Sequence, residues 1–96
     1  MKILWLREAL RNLDREAAYI AEDDPEAARR IVGRIREAVA RLKFHANLGR
    51  SGRVPGTREL VVSGTPYIIP YRVRYQSVEV LRVFHSARRW SKRFDA

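Results

Sequence analysis

The apolar residues of this chain keep one period in its first half and another in its second, and that switch limits the folds open to it. From Arg7 onward Leu10, Leu13, Ala17 and Ile20 recur at helical spacing, with Tyr19 beside them and Arg11, Asp14, Arg15 and Glu16 between. A second stripe, Ala28, Ile31, Ile35, Ala38 or Val39, and Leu42, faces inward, with Arg29, Arg30, Arg34, Arg36 and Arg41 outward. Between them Asp23-Asp24-Pro25-Glu26 stops one helix and starts the next, because Asp24 can accept from free amides and Pro25 needs no amide partner at the first helical position. So short a turn predicts an antiparallel helical hairpin.

After a Gly-rich loop at 46–57 the period becomes two. Tyr67, Ile69, Tyr71, Val73 and Tyr75 are placed on one buried face and Arg72 and Arg74 on a wet one. Ser63-Gly64-Thr65-Pro66 and Gln76-Ser77 separate this strand from Arg58–Val62 before it and Val78–Phe84 after it. Lys2–Leu6 is long enough for a strand and too short for a helix. The predicted order is therefore β-α-α-β-β-β, an α+β fold. Pro70 cannot donate to a ladder, so its strand is expected at a sheet edge or with a bulge there. No repeat or linker divides the 96 residues, which predicts one domain over 1–96.

Charge narrows the partners. The net charge is +9. Residues 1–48 hold ten Lys/Arg against eight Asp/Glu, and residues 49–96 ten against three, so the basic character belongs to the second half. Most of it is arginine, which suits bidentate contact to phosphate or carboxylate. Either a nucleic acid or an acidic protein is implied as partner. The absence of cysteine excludes disulfides, thiolate metal sites and thiol nucleophiles. No apolar run approaches a membrane span or an export signal, so a cytoplasmic chain without membrane contact is expected.

Catalytic chemistry has few candidates. Neither His45 nor His85 has a second ligand at helical spacing, so no metal site and no cofactor are expected. The Gly-rich loop lacks the P-loop order and reads as a connector. A ribonuclease reading uses His85 as proton shuttle, with Arg72 and Arg82 on the phosphorane charge. The competing reading makes His85 a strand-end residue bonded to backbone. Tyr71 and Tyr75 are read as core-facing, and base stacking would need them on the open side. In the tail, Trp90 and Phe94 either close the core or, with Arg88, Arg89, Lys92 and Arg93, form an exposed contact element with an aromatic anchor.

Several stretches together carry a family resemblance: Asp24-Pro25-Glu26-Ala27-Ala28, Gly49-Arg50 with Gly52, Gly56-Thr57-Arg58-Glu59-Leu60, Pro66 to Val73, and Val80 to Trp90. The chain resembles the RelE/ParE superfamily of type II toxin–antitoxin toxins over nearly its whole length. The resemblance implies a helical hairpin packed on a small antiparallel sheet, and an acidic, ParD-like antitoxin that wraps the toxin and forms an oligomer with it.

RelE-like members resemble ribosome-dependent mRNA interferases that rely on basic side chains. Laid on this chain, those positions hold Glu59, Val61 and Ile68. Loss of one guanidinium that stabilises a transition state costs about 3 kcal/mol. The remaining stretches look like the ParE branch, which resembles inhibitors of DNA gyrase that turn it into a DNA-breaking poison without an active site of their own. A binding toxin, not an enzyme, is therefore expected, with DNA reached only through gyrase or the antitoxin. Its expected contact residues are Arg58, Arg72, Arg74, Arg82, His85, Arg88, Arg89, Trp90, Lys92 and Arg93, with Arg82, Arg88, Arg89 and Trp90 assigned to gyrase. A plain nucleic-acid-binding module is the third reading, with a steep salt dependence.

Overall fold

The computed structural model describes residues 1–87. Strand β1 (Lys2–Trp5) leads into helices α1 (Arg7–Asp23) and α2 (Pro25–Ala40), a 3-10 turn (Arg41–Lys43), and strands β2 (Arg50–Ser51), β3 (Arg58–Val61), β4 (Tyr67–Arg74), β5 (Ser77–Val80) and β6 (Phe84–His85). Asp24 ends α1 and caps α2: its carboxylate accepts from the Ala27 amide at 3.1 Å, and Pro25 opens the helix as its spacing predicts. The sheet runs β1-β5-β4-β3-β2, with β6 also beside β4. The fold is α+β with the expected helical hairpin on a sheet. Its pairs are antiparallel except β1 with β5, which makes the sheet mixed.

One sheet face meets the helices. Ala9, Leu13, Ile35, Val39 and Leu42 pack there on Leu60, Val62, Tyr67, Ile69, Tyr71, Val78 and Val80. Each Leu, Ile or Val side chain removed from water stabilises by roughly 1.5–3 kcal/mol. The α2 stripe buries as predicted, but α1 is rotated from its prediction. Its buried residues are Ala9, Asn12, Leu13 and Glu16, whereas Leu10 is 40% exposed. Polar partners explain the rotation: Glu16 accepts from the Tyr67 hydroxyl at 2.9 Å, and the Asn12 Oδ1 accepts from the Val83 amide at 3.1 Å.

Pro70 resolves into one of its two expected settings. β4 is central, not an edge, with β3 on one side and β5 and β6 on the other. Along β4 the partner register changes between Tyr71↔Val80 and Ile68↔Phe84, which inserts one extra residue into the segment joining β5 and β6. Pro70 lies at that bulge. The Leu81 amide donates to the Pro70 carbonyl at 2.9 Å, but Pro70 has no amide to return. The Leu81 carbonyl instead accepts from the Arg82 guanidinium at 2.8 Å, and the Val83 amide is the one taken by Asn12.

The alternation predicted for β4 holds for only part of it. Tyr67 through Tyr71 are buried on both faces, while Val73 is exposed and Tyr75 lies outside the strand. Arg74↔Ser77 pairing leaves a two-residue turn, Tyr75-Gln76, whose φ values are 53° and 58°. Two-residue hairpins favour positive φ at both positions, a region that costs side chains other than glycine about 1–2 kcal/mol each.

Candidate functional site

Alternation along paired strands assigns the sheet's second face, away from the helices. It carries Glu59, Val61, Ile68, Pro70, Arg72, Arg74 and Glu79, because these stand opposite one another or two residues apart. Two carboxylates organise its cations. Glu59, 3% exposed, is held by Arg50 at 3.1 Å, by Arg53 at 3.0 Å and by the Arg53 amide at 2.9 Å. Burial alone would raise the Glu59 carboxyl, but the Arg53 amide and guanidinium and the Arg50 guanidinium outweigh it and leave it below the usual carboxylate value. Across the sheet Glu79 takes Arg72 at 2.6 Å and Arg74 at 3.1 Å. The bond from Arg72 is the main reason that its carboxyl is lowered, and Arg74 adds to it against a burial effect of opposite sign.

The Gly-rich loop is anchored to this sheet. The Tyr71 hydroxyl donates to the Ala46 carbonyl at 2.7 Å and accepts from the Gly49 amide at 2.9 Å, and burial raises its pKa despite that amide and the charge of Arg58. A Cβ at Gly49 would lie 2.7 Å from the Tyr71 ring and 2.9 Å from the Glu59 carbonyl, so only glycine fits. Arg58 completes the joint by donating to the Gly49 carbonyl at 2.8 Å. The loop therefore works as a connector, as its residue order suggests.

Beside β3 and α2 lies a groove of about 570 Å³, lined by Arg34, Glu37, Ala38, Arg41, Leu48, Arg50, Leu60, Val61, Val62 and Ser63. Its apolar floor and three guanidiniums suit an acidic amphipathic segment. Sequence reasoning placed Arg34 and Arg41 outward without connecting them to Glu37 and Ala38, which share their helix face at three- and four-residue spacing. That spacing was the available signal. A second hollow, of about 420 Å³, lies among Tyr19, Ile20, Ile31, Pro66, Tyr67, His85 and Ala87.

The residues of the ribonuclease reading do not converge. His85 pairs with Tyr67 at the start of β4, its ring 5.5 Å edge-on from that tyrosine, and its Nδ1 accepts from the Ala87 amide at 3.2 Å. Arg72 stands five residues further along β4, about 16 Å away and on the opposite face. Arg82 sits in the bulged segment and lines a third hollow with Leu6, Arg7, Glu8 and Arg11. His85 is thus the backbone-bonded strand-end residue of the competing reading. Glu59, Val61 and Ile68 do come together: Val61 is the direct cross-strand neighbour of Ile68, and Glu59 is two residues along. Of the other expected contact residues, Arg58, Arg72 and Arg74 occupy the sheet, while Arg88, Arg89, Trp90, Lys92 and Arg93 lie outside the described residues, as does Phe94. Among the described residues no group of three or more His, Asp or Glu could hold a metal ion, and no helix is long and apolar enough to cross a membrane.

The sequence pattern of the ParE toxin of the type II toxin–antitoxin system, parDE, matches residues 3–90. The chain belongs to the ParE toxin family. It is 49% identical over 89 residues to the protein Y4kP of Sinorhizobium fredii, covering 93% of this chain and 92% of that one. Toxin RelE2 of Caulobacter vibrioides is 34% identical over 87 residues, covering 91% and 97%. Among solved structures, the chromosomal ParDE TA system from P. aeruginosa contains a chain that superposes with a TM-score of 0.81 at 34% identity, covering 88% of this chain and 95% of that one. The helical hairpin and the sheet are thus those of a type II toxin of the ParE kind, and a RelE-named relative lies within the same similarity.

Proposed function

We propose that this ParE-family toxin acts in the cytoplasm by binding DNA gyrase, without cutting a bond itself, and that an acidic antitoxin neutralises it. The observation that carries the reading is the face where RelE-like members need cations. There Glu59 is an anion already shared by two arginines, and the paired Val61 and Ile68 are apolar. At Glu59 the nearby guanidiniums are committed to a buried carboxylate, and the other two positions offer no donor. Separation of His85 from Arg72 supports the same reading.

The groove between α2 and β3 is the proposed seat of the antitoxin, its carboxylates meeting Arg34, Arg41 and Arg50 and its apolar side chains Leu48 and Val61. Gyrase contact is assigned to Arg82, Arg88, Arg89 and Trp90, and Arg58, Arg72, Arg74, His85, Lys92 and Arg93 remain assigned to target or antitoxin contact. The test mixes purified toxin with gyrase and supercoiled plasmid. Inhibition with accumulation of cleaved DNA is expected, and neither appearing would sink the reading. Ribosome-dependent message cleavage that disappears in His85→Ala would replace it with the ribonuclease reading.

A further inference from the structure

The turn between β4 and β5 combines three properties that the fold does not explain. Tyr75 and Gln76 both hold positive φ, a region suited to Asn-Gly and not to a large aromatic. Tyr75 is 89% exposed, so burial returns nothing for that strain. Its ring is also pre-set: the Arg74 guanidinium lies 5.7 Å from the centroid, and the Gln76 carbonyl accepts from the Lys2 amide at 3.4 Å, which ties the turn to β1. A side chain that strains the backbone and gains no burial is explained by a contact made outside the chain.

We propose that the Tyr75 tip is a target-contact element, an aromatic anchor that enters an apolar pocket on an acidic protein surface, with Arg74 holding the ring and Lys2 meeting a carboxylate at its rim. Tyrosine and arginine are the residue types that dominate protein interface anchors. A protein is favoured over a nucleic acid because Arg72 and Arg74 share Glu79, so the tip lacks a row of uncommitted guanidiniums to follow successive phosphates. The antitoxin is assigned a different seat, the groove that borders β3 opposite the start of β4, about 20 Å along the strand from the tip. A bound antitoxin segment there leaves the tip open.

The proposal rests on the gyrase reading only for its probe. The double variant Tyr75→Asn with Gln76→Gly gives the turn its preferred residues and removes the anchor. Expected are a Tm several degrees higher, showing an intact fold, and at least a ten-fold loss of gyrase inhibition. Inhibition equal to that of the unsubstituted toxin overturns the tip while leaving the gyrase reading in place. If the unsubstituted toxin does not inhibit gyrase, that reading fails, and growth arrest on expression decides the tip: arrest lost in the variant supports it, and equal arrest, or none from either chain, overturns it. A ten-fold loss of affinity for a bare 20-base-pair DNA duplex, with inhibition unchanged, also overturns it by assigning the tip to nucleic acid.

Discussion

Tyr67, Tyr71 and Tyr75 follow one another at four-residue intervals, yet the first two are 3% and 0% exposed and the third 89%. Side-chain chemistry is constant across the three, so the neighbours make the difference. Tyr67 has β3 on one side and β6 on the other, and its hydroxyl reaches Glu16 on α1. Tyr71 lies between Arg58 of β3 and Val80 of β5 and holds the loop at Ala46 and Gly49. β3 ends its pairing at Tyr71, so beyond it β4 continues only as a hairpin with β5. A sheet five strands wide narrows there to the three strands β1, β5 and β4, and β4 becomes an edge where Val73 and Tyr75 are exposed. The wide end buries its tyrosines, and the narrow end leaves Tyr75 in water.

The sharpest way to break this contrast is at the loop anchor. Tyr71→Ala should cost about 3–5 kcal/mol, or prevent folding, because it opens a cavity and orphans two loop groups; urea denaturation measures it. Gly49→Ala should cost about 1–3 kcal/mol by forcing a methyl group into the Tyr71 ring, and a loss under half a kcal/mol would mean that the loop yields. Tyr67→Phe, which removes only the hydroxyl offered to Glu16, should cost about 1 kcal/mol in the same assay. At the narrow end Tyr75→Ala should change stability by no more than about 0.5 kcal/mol.

Acid provides a further comparison. The carboxyls of Glu59 and Glu79 are both held below the ordinary carboxylate value by their arginines. Their contribution is present above that unfolded value and is lost as the pH falls through the lower folded values. Stability measured from pH 6 down to 2 should therefore drop through the acid limb, and Glu79→Gln should flatten part of that drop.

Much of the fold was legible because it depends on local rules. Asp24-Pro25 encodes the hairpin turn in its own chemistry, and the α2 stripe faces the side that it should. Family membership was equally readable, since motifs such as Gly56-Thr57-Arg58-Glu59-Leu60 are sequence facts. What escaped depends on distant neighbours. Alternation continues through Val73 and Tyr75, but the length of β3 decides where burial ends. Glu16 reads as a surface residue until a tyrosine 51 positions later reaches it. Which arginines line the groove escaped for a similar reason, because Arg34 comes from α2, Arg41 from the 3-10 turn after it and Arg50 from β2, and only folding makes them neighbours.

The bulge at Pro70 ties backbone chemistry to side-chain charge. A ring without an amide hydrogen leaves the Leu81 carbonyl without its ladder donor, and a guanidinium donates to it instead. Any other residue at position 70 would bring a rival donor to that oxygen and loosen the tether on Arg82, so a change deep in the sheet would re-aim a cation at the surface without touching a single charged residue.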